Sequence, residues 1–138
     1  YVQGLSSFVS EMKRIDEIIS TIDTNQRVLV LIDELARTTN PKEGAAIVSA
    51  MLDILREREV SSFITTHYDI TTSCRRLRVK GLKDEVMAGN NLNITNIQKA
   101  IDYNLIDDVS LGAPNEAIRI AEMLGINKKL IEKAKSLI

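Results

Sequence analysis

The sequence predicts an α/β fold in which helices flank a parallel β-sheet, followed by a pair of short helices at the C-terminal end. A continuous apolar run over residues 28–32 is typical of a strand buried on both faces of such a sheet. A helix start signal and a second short apolar run follow it. A strand, a helix and a strand in this order form a crossover between parallel strands.

The first element is predicted to be a helix, because apolar side chains recur at spacings of three and four over residues 8–22. Gly4, Ser6 and Ser7 lie at its predicted start. Their hydroxyl and backbone N–H groups would then lie where the helix dipole favours an anion. An ordinary serine N-cap explains the same residues, so both interpretations stay open.

The second helix is predicted from Asn40-Pro41-Lys42-Glu43, which combines a cap residue, a proline at the first helical position and a glutamate at the third. The residues expected on its buried face are Ile47, Met51, Ile54 and Leu55. A second strand is predicted over residues 60–66, completing the crossover.

The rest of the chain gives weaker signals until its end. Alternating stretches within residues 77–81 and 92–105 predict edge strands that glycines and asparagines interrupt. Pro114 is expected to open a helix that Gly125 closes, and Asn127 to cap a last helix. These two helices carry more apolar surface than they can bury, which favours self-association. The residues concerned are Ile118, Met123, Leu130, Ile131 and Leu137.

The composition is that of a packed domain and limits the direct partners of the chain. The chain has 138 residues, enough for a packed core, with 44% hydrophobic and 27% charged residues. Eighteen lysines and arginines oppose 19 aspartates and glutamates, so the net charge of -1 favours neither DNA nor an anionic membrane as a direct partner. A chain that begins at Tyr1 suggests an excised piece of a longer protein.

Localisation and metal chemistry are bounded by what the chain lacks. No apolar run approaches the roughly 20 residues of a membrane helix, and no signal segment opens the chain, so we expect a cytoplasmic protein. Cys74 is the single cysteine and His67 the single histidine. An internal disulfide and a thiolate metal cluster are therefore both excluded.

Three polar residues are expected at the carboxyl ends of the two strands. Asp33 and Glu34 follow the first strand, and His67 follows the second. In P-loop ATPases an aspartate here helps to hold Mg²⁺, and a following glutamate orients the attacking water. An imidazole at the same edge can donate to a γ-phosphate. A strand that simply ends in solvent, and a structural or exposed histidine, are the alternatives.

Together these segments resemble the ATPase domain of the MutS mismatch-repair family. Residues 4–12, Gly-Leu-Ser-Ser-Phe-Val-Ser-Glu-Met, resemble the family's signature segment. Residues 28–34, Val-Leu-Val-Leu-Ile-Asp-Glu, are similar to its Walker B strand, and residues 66–68 match its Thr-His-Tyr motif. The last 26 residues or so resemble its terminal helix-turn-helix, so the resemblance covers most of the chain.

The resemblance implies part of an ABC-type P-loop NTPase sheet over residues 1–112 and a helix-turn-helix dimerisation segment over 113–138. It implies ATP and Mg²⁺ as cofactors and a second copy of the same ATPase domain as partner. Ser6, with Ser7 beside it, would reach the nucleotide of the partner copy. Asp33 would bind Mg²⁺, Glu34 would be the catalytic base, and His67 would sense the γ-phosphate.

The sequence departs from the family pattern in two places. Ala36 and Thr38 replace two glycines in the loop after the acidic pair, which predicts a differently shaped loop. Residues 115–117, Asn-Glu-Ala, replace Ser-Tyr-Gly. None of the chain's six glycines begins a P-loop, so the phosphate cradle is expected upstream and the isolated chain is expected to be inactive.

The sequence leaves several functions open. The resemblance implies ATP hydrolysis coupled to mismatched-DNA binding in mismatch repair, with DNA held by domains outside this chain. A MutS-type ATPase that remodels or reactivates a protein client is an alternative, as is a purely structural dimerisation module. Direct DNA reading by the last helix is a further alternative, because that helix carries several lysines.

Overall fold

A computed structural model of the chain describes residues 2–24, 27–83, 97–108 and 116–137. The chain divides into two compact units, residues 1–75 and residues 76–138. The first unit contains α1 (Val2–Thr24), β1 (Leu29–Ile32), α2 (Pro41–Glu57) and β2 (Ser61–Ile64). The second contains β3 (Leu77–Leu82), α3 (Ile97–Ala100), β4 (Ile101–Asp107), α4 (Glu116–Met123) and α5 (Lys128–Lys135).

The first unit is built on the predicted crossover. Strands β1 and β2 pair in parallel, with Leu29 opposite Ser61 and Ile32 opposite Ile64, and α2 connects them. The start of α2 is as predicted: Asn40 is the N-cap, and its side chain accepts a hydrogen bond of 3.0 Å from the Glu43 N–H. The mixed α/β class is therefore confirmed.

Helix α1 begins earlier than the sequence predicts. It starts at Val2, so Ser6 and Ser7 lie inside the helix in its second turn and not at its mouth. Neither serine is an N-cap, and the main-chain carbonyl of Ser6 accepts a bond of 2.9 Å from the Ser10 hydroxyl. The prediction that these residues offer a helix N-terminus to an anion is wrong for this position, because such a site needs the first turn.

The core of the first unit lies between α1, α2 and one face of the strand pair. Met51 and Leu55 are buried as predicted, whereas Ile47 and Ile54 are only half-buried. The buried cluster as a whole consists of Ile22, Val30, Leu35, Ala36, Val48, Met51, Leu55 and Ile70. Residues 35 and 36 belong to the loop after β1, so this loop is anchored in the core.

Strand β1 is buried on one face only. Leu29 and Leu31 are 60% and 67% exposed, and Phe63 on β2 is 67% exposed. The prediction of burial on both faces is wrong for this chain. Side chains alternate between the two faces of a strand, so Val30 points into the core while its neighbours lie on the uncovered face.

The second unit contains a separate sheet. Strands β3 and β4 are antiparallel to each other, with a register shift between Val79 and Gly81. A positive φ of 95° at Gly81 fits this bulge. The predicted edge strands thus pair with each other. Within the predicted stretch 92–105, residues 97–100 are helical and the strand begins at Ile101, while residues 84–96 lie outside the described part.

The terminal helices are joined as the sequence predicts. The Gly125 N–H bonds to the Glu122 carbonyl and the Ile126 N–H to the Ala121 carbonyl, at 3.0 and 3.1 Å, with a φ of 75° at the glycine. This is the Schellman ending of a helix. Asn127 then caps α5 by accepting from the Lys129 N–H.

Burial of the last helix is uneven. Ile131 is buried, but Leu130 and Leu137 are exposed. Pro114 and the predicted boundary between residues 112 and 113 lie outside the described residues, and that boundary stays a prediction. Of the helices in the described ranges, none is long and apolar enough to cross a lipid bilayer.

Candidate active site

The carboxyl ends of β1 and β2 meet at one edge of the parallel pair. Ile32 and Ile64, the last residues of the two strands, are register partners, and the Thr65 N–H donates to the Ile32 carbonyl at 3.0 Å. The residues that follow each strand therefore emerge side by side. This places Asp33, Glu34 and His67 at one edge, as the sequence predicts, and edges of this kind are where α/β sheets bind ligands.

Thr65 joins the two sides of this edge. Its hydroxyl donates to Asp33 Oδ1 at 2.5 Å and accepts from the Glu34 N–H at 2.9 Å. The sequence reasoning missed this residue. Its signal was a hydroxyl side chain one position beyond the strand, which the parallel register brings next to Asp33.

The Glu34 carboxylate is held by two side chains, those of Arg37 and His67. Its Oε2 accepts from Arg37 Nη1 at 2.8 Å, and its Oε1 lies 2.6 Å from His67 Nε2. The Arg37 hydrogen bond, followed by the His67 contact, lowers the pKa of the Glu34 carboxyl below its usual value. Arg37 was not among the predicted site residues, although it follows Glu34 by three residues in the same loop.

The loop after β1 adopts an unusual backbone. Glu34 and Ala36 have φ values of 51° and 61°, in the left-handed region. This region costs an L-residue other than glycine about 1–2 kcal/mol. The loop was expected to change shape because alanine replaces a glycine at position 36. Ala36 nevertheless adopts the positive φ that a glycine would favour.

Ala36 is 0% exposed, and three hydrogen bonds hold its backbone. One lies within the loop, where the Ala36 carbonyl accepts from the Thr39 N–H at 3.2 Å. The other two come from distant elements. The Ala36 N–H donates to Glu11 Oε1 at 2.6 Å, and its carbonyl accepts from the Tyr68 hydroxyl at 2.6 Å. These bonds tie the loop to α1 on one side and to the segment after β2 on the other. Glu11 and Tyr68 lie within the segments that the sequence singled out, but no role was predicted for either.

The predicted binding residues differ in how far their surroundings support them. Asp33 is exposed, and its carboxylate and the Thr65 hydroxyl are hard oxygen donors at one edge. Mg²⁺ commonly uses one or two carboxylates and takes its other ligands from phosphates and water. This donor set fits Mg²⁺. Ser6 and Ser7 are exposed residues of α1, and their contact with a nucleotide in a paired domain stays a prediction.

A protein-bound metal cluster is not part of this edge. Within the ranges that the structure describes, no group of three or more His, Cys, Asp or Glu side chains could hold a metal ion.

Comparison with known proteins gives the family. The family model described as MutS domain V matches residues 1–138, the whole chain. The chain belongs to the MutS family. The predicted resemblance of the chain to the MutS family is thereby confirmed.

Relatives named Endonuclease MutS2 match nearly the whole chain. The protein of Fusobacterium nucleatum is 33% identical over 136 residues, covering 99% of this chain. That of Thermotoga neapolitana is 35% identical over 139 residues, covering 97%, and that of Streptococcus thermophilus is 33% identical over 135 residues, covering 98%. The chain spans only 16% of the length of each of these relatives.

Proposed function

We propose that this chain is the part of a MutS-family ATPase that carries the hydrolytic carboxylates. The observation that carries the proposal is the single edge formed by Asp33, Glu34, Thr65 and His67 at the carboxyl ends of two parallel strands. Membership of the MutS family supports the proposal, because Asp33 and Glu34 lie in residues 28–34 and His67 lies in residues 66–68, two segments that resemble MutS motifs.

Each residue has a distinct role in this proposal. Asp33, oriented by the Thr65 hydroxyl, would bind the Mg²⁺ that accompanies ATP. Bound Mg²⁺ supplies neutralisation of the charge that develops on the phosphates. Glu34 is kept ionised by Arg37 and His67, and each oxygen of a carboxylate has a second lone pair with which to accept from water. His67 would donate to the γ-phosphate.

The other components of the proposed ATPase lie in other parts of the protein. ATP binding requires a P-loop cradle with its lysine, which none of the six glycines of this chain can begin. We place that cradle, and the domains that contact DNA, elsewhere in a longer parent protein. The partner is a second copy of the same domain, with Ser6 and Ser7 facing its nucleotide. The isolated chain then hydrolyses no ATP.

Two processes could use such an ATPase. Coupling to mismatched DNA in mismatch repair is the first. A MutS-type ATPase serving another process, such as remodelling a protein client, is the second. Binding of the full-length parent to matched and mismatched duplexes separates them: a preference for the mismatch that ATP abolishes supports repair, and equal binding supports the second.

The proposed roles are tested in the full-length parent by nucleotide affinity and its Mg²⁺ dependence. Asp33→Asn should weaken Mg²⁺-dependent ATP binding, because it removes the charge from the metal ligand. His67→Ala should preserve ATP binding but reduce the discrimination between ATP and ADP. Asp53→Asn, which alters an exposed aspartate on α2, is the matched control. Equal Mg²⁺ dependence in the two aspartate variants would overturn the assignment.

A further inference from the structure

Three separate parts of the first unit converge on the backbone of Ala36. Glu11 comes from the middle of α1, Ala36 from the loop after β1, and Tyr68 from the segment after β2. Both backbone polar groups of Ala36 are used, and both bonds are 2.6 Å long. Loss of the Glu11 bond would leave the buried Ala36 N–H without a partner, which is costly away from water. Loss of the Tyr68 bond would leave the Ala36 carbonyl with only the longer bond of 3.2 Å from the Thr39 N–H in its own loop.

Tyr68 is itself fixed from two other directions. Its N–H donates to the Thr66 hydroxyl at 3.0 Å. Its ring lies against Gly44 in the first turn of α2, where a Cβ atom would overlap the ring. The hydroxyl therefore reaches the Ala36 carbonyl from a ring whose position the surrounding backbone sets.

The restraint at Ala36 bears directly on Glu34. Only Leu35 separates the two residues, and its side chain is buried in the core. Glu34 and Ala36 both have left-handed φ values, so the direction in which the Glu34 side chain leaves the loop depends on this pair of unusual conformations. A relaxed backbone at Ala36 would let the loop turn and re-aim the Glu34 carboxylate.

We propose that Glu11 and Tyr68 are positioning residues that hold Ala36 in its left-handed conformation and thereby aim the Glu34 carboxylate for hydrolysis. The inference rests on the proposed function, since it assigns a purpose to the aim of Glu34. Neither residue touches the reacting atoms. They act through the Ala36 backbone, which a glycine could hold in the same conformation without help.

Conservative variants separate the hydrogen bonds from packing. Tyr68→Phe removes the hydroxyl and leaves the ring against Gly44. Glu11→Gln keeps an acceptor for the Ala36 N–H, whereas Glu11→Ala removes it. Ala36→Gly supplies the backbone freedom that the two bonds compensate for. Tyr103→Phe and Glu17→Ala change exposed residues of the same types and serve as matched controls.

The test measures steady-state ATP hydrolysis by the full-length parent. We expect Tyr68→Phe and Glu11→Ala to lower kcat by roughly 10- to 100-fold, the size of effect that a misplaced catalytic group produces. KM for ATP should change by less than about twofold, because binding of the nucleotide is not involved. Adding Ala36→Gly to either variant should restore most of the lost kcat, and Glu11→Gln should retain most of it.

A structural readout keeps the inference testable even without hydrolysis. Hydrogen exchange in peptides spanning residues 33–39 of the parent should accelerate in Tyr68→Phe and Glu11→Ala but not in the two controls. Unchanged exchange overturns the claim that Glu11 and Tyr68 hold the backbone of Ala36. Faster exchange with unchanged kcat, or lost kcat that Ala36→Gly does not restore, overturns the positioning role. A wild-type parent that hydrolyses no ATP refutes the proposed function, while the exchange result still decides whether Glu11 and Tyr68 hold the backbone of Ala36.

Discussion

Carboxylates do different work in the two units of this chain. In the first unit, Asp33, Glu34 and Glu11 each bind a group from a distant element, and together they fix one edge of the parallel strands. In the second unit, Glu116 accepts from the Leu82 N–H at 3.3 Å, and three other carboxylates pair with basic side chains on or beside neighbouring strands or helices. These pairs are Arg76 with Asp108, Lys80 with Asp102, and Lys135 with Glu122.

Core size explains this contrast. The first unit buries a cluster that includes Leu35, Val48, Met51 and Leu55, and this apolar burial stabilises it. Among the residues of the second unit that the structure describes, the buried cluster consists of Leu82 and Ala100, with Ile120, Met123 and Leu124 packed against it. Ion pairs therefore have a larger share in the contacts described for this unit.

Removing a core side chain should give the largest loss of stability. Leu35→Ala empties a position that is 1% exposed and should lower the free energy of unfolding by about 2–5 kcal/mol. Leu137→Ala, at a position 85% exposed, should change it by less than about 0.5 kcal/mol. Urea unfolding of the 138-residue chain, followed by circular dichroism, measures both. Equal losses would remove the distinction between core and surface on which the comparison stands.

The ion pairs of the second unit should matter next. The Asp108 carboxylate is 7% exposed and lies 3.0 Å from Arg76, so Asp108→Asn should cost about 1–3 kcal/mol by leaving a partly buried charge unpaired. Asp53→Asn breaks an exposed pair with Arg56 and should cost at most about 1 kcal/mol. The same unfolding experiment compares them, and an Asp108 variant as stable as the Asp53 variant would show that these pairs are incidental.

A smaller effect is expected on the pH dependence of the first unit. Arg37 lowers the pKa of Glu34, so Arg37→Ala should raise that pKa and move the acid limb of the hydrolysis profile to higher pH. The lowered pKa also affects stability: a carboxyl whose pKa is lowered in the folded state stabilises the fold at pH values above its usual pKa. That contribution is lost as the pH falls through the lowered pKa. Arg56→Ala is the control. An unmoved acid limb would exclude Arg37 as the cause.

Local signals carried most of what the sequence could predict. The cap at Asn40, the turn at Gly125 and the two apolar runs depend on a few adjacent residues, and each is found where expected. The common edge of Asp33, Glu34 and His67 followed from the parallel register alone. These features need no knowledge of the rest of the fold.

Features set by distant contacts could not be predicted. An apolar run does not reveal which face will be covered, and Leu31 and Phe63 proved exposed. The pairing of β3 with β4 links segments about 25 residues apart, beyond the reach of local patterns. The roles of Thr65, Glu11 and Tyr68 depend on the turn after β1. Ala36 has a left-handed conformation in this turn, and an alanine in the sequence argues against that conformation.

The measurement that tests the central claim most directly is single-turnover ATP hydrolysis by the full-length parent carrying Glu34→Gln. The account predicts ATP affinity close to that of the wild type and hydrolysis slower by roughly 10²–10⁴-fold, the size of a lost general base. Glu57→Gln, an exposed glutamate at the end of α2, should hydrolyse ATP at the wild-type rate. Hydrolysis by Glu34→Gln at that same rate would contradict the claim that this edge is the catalytic site.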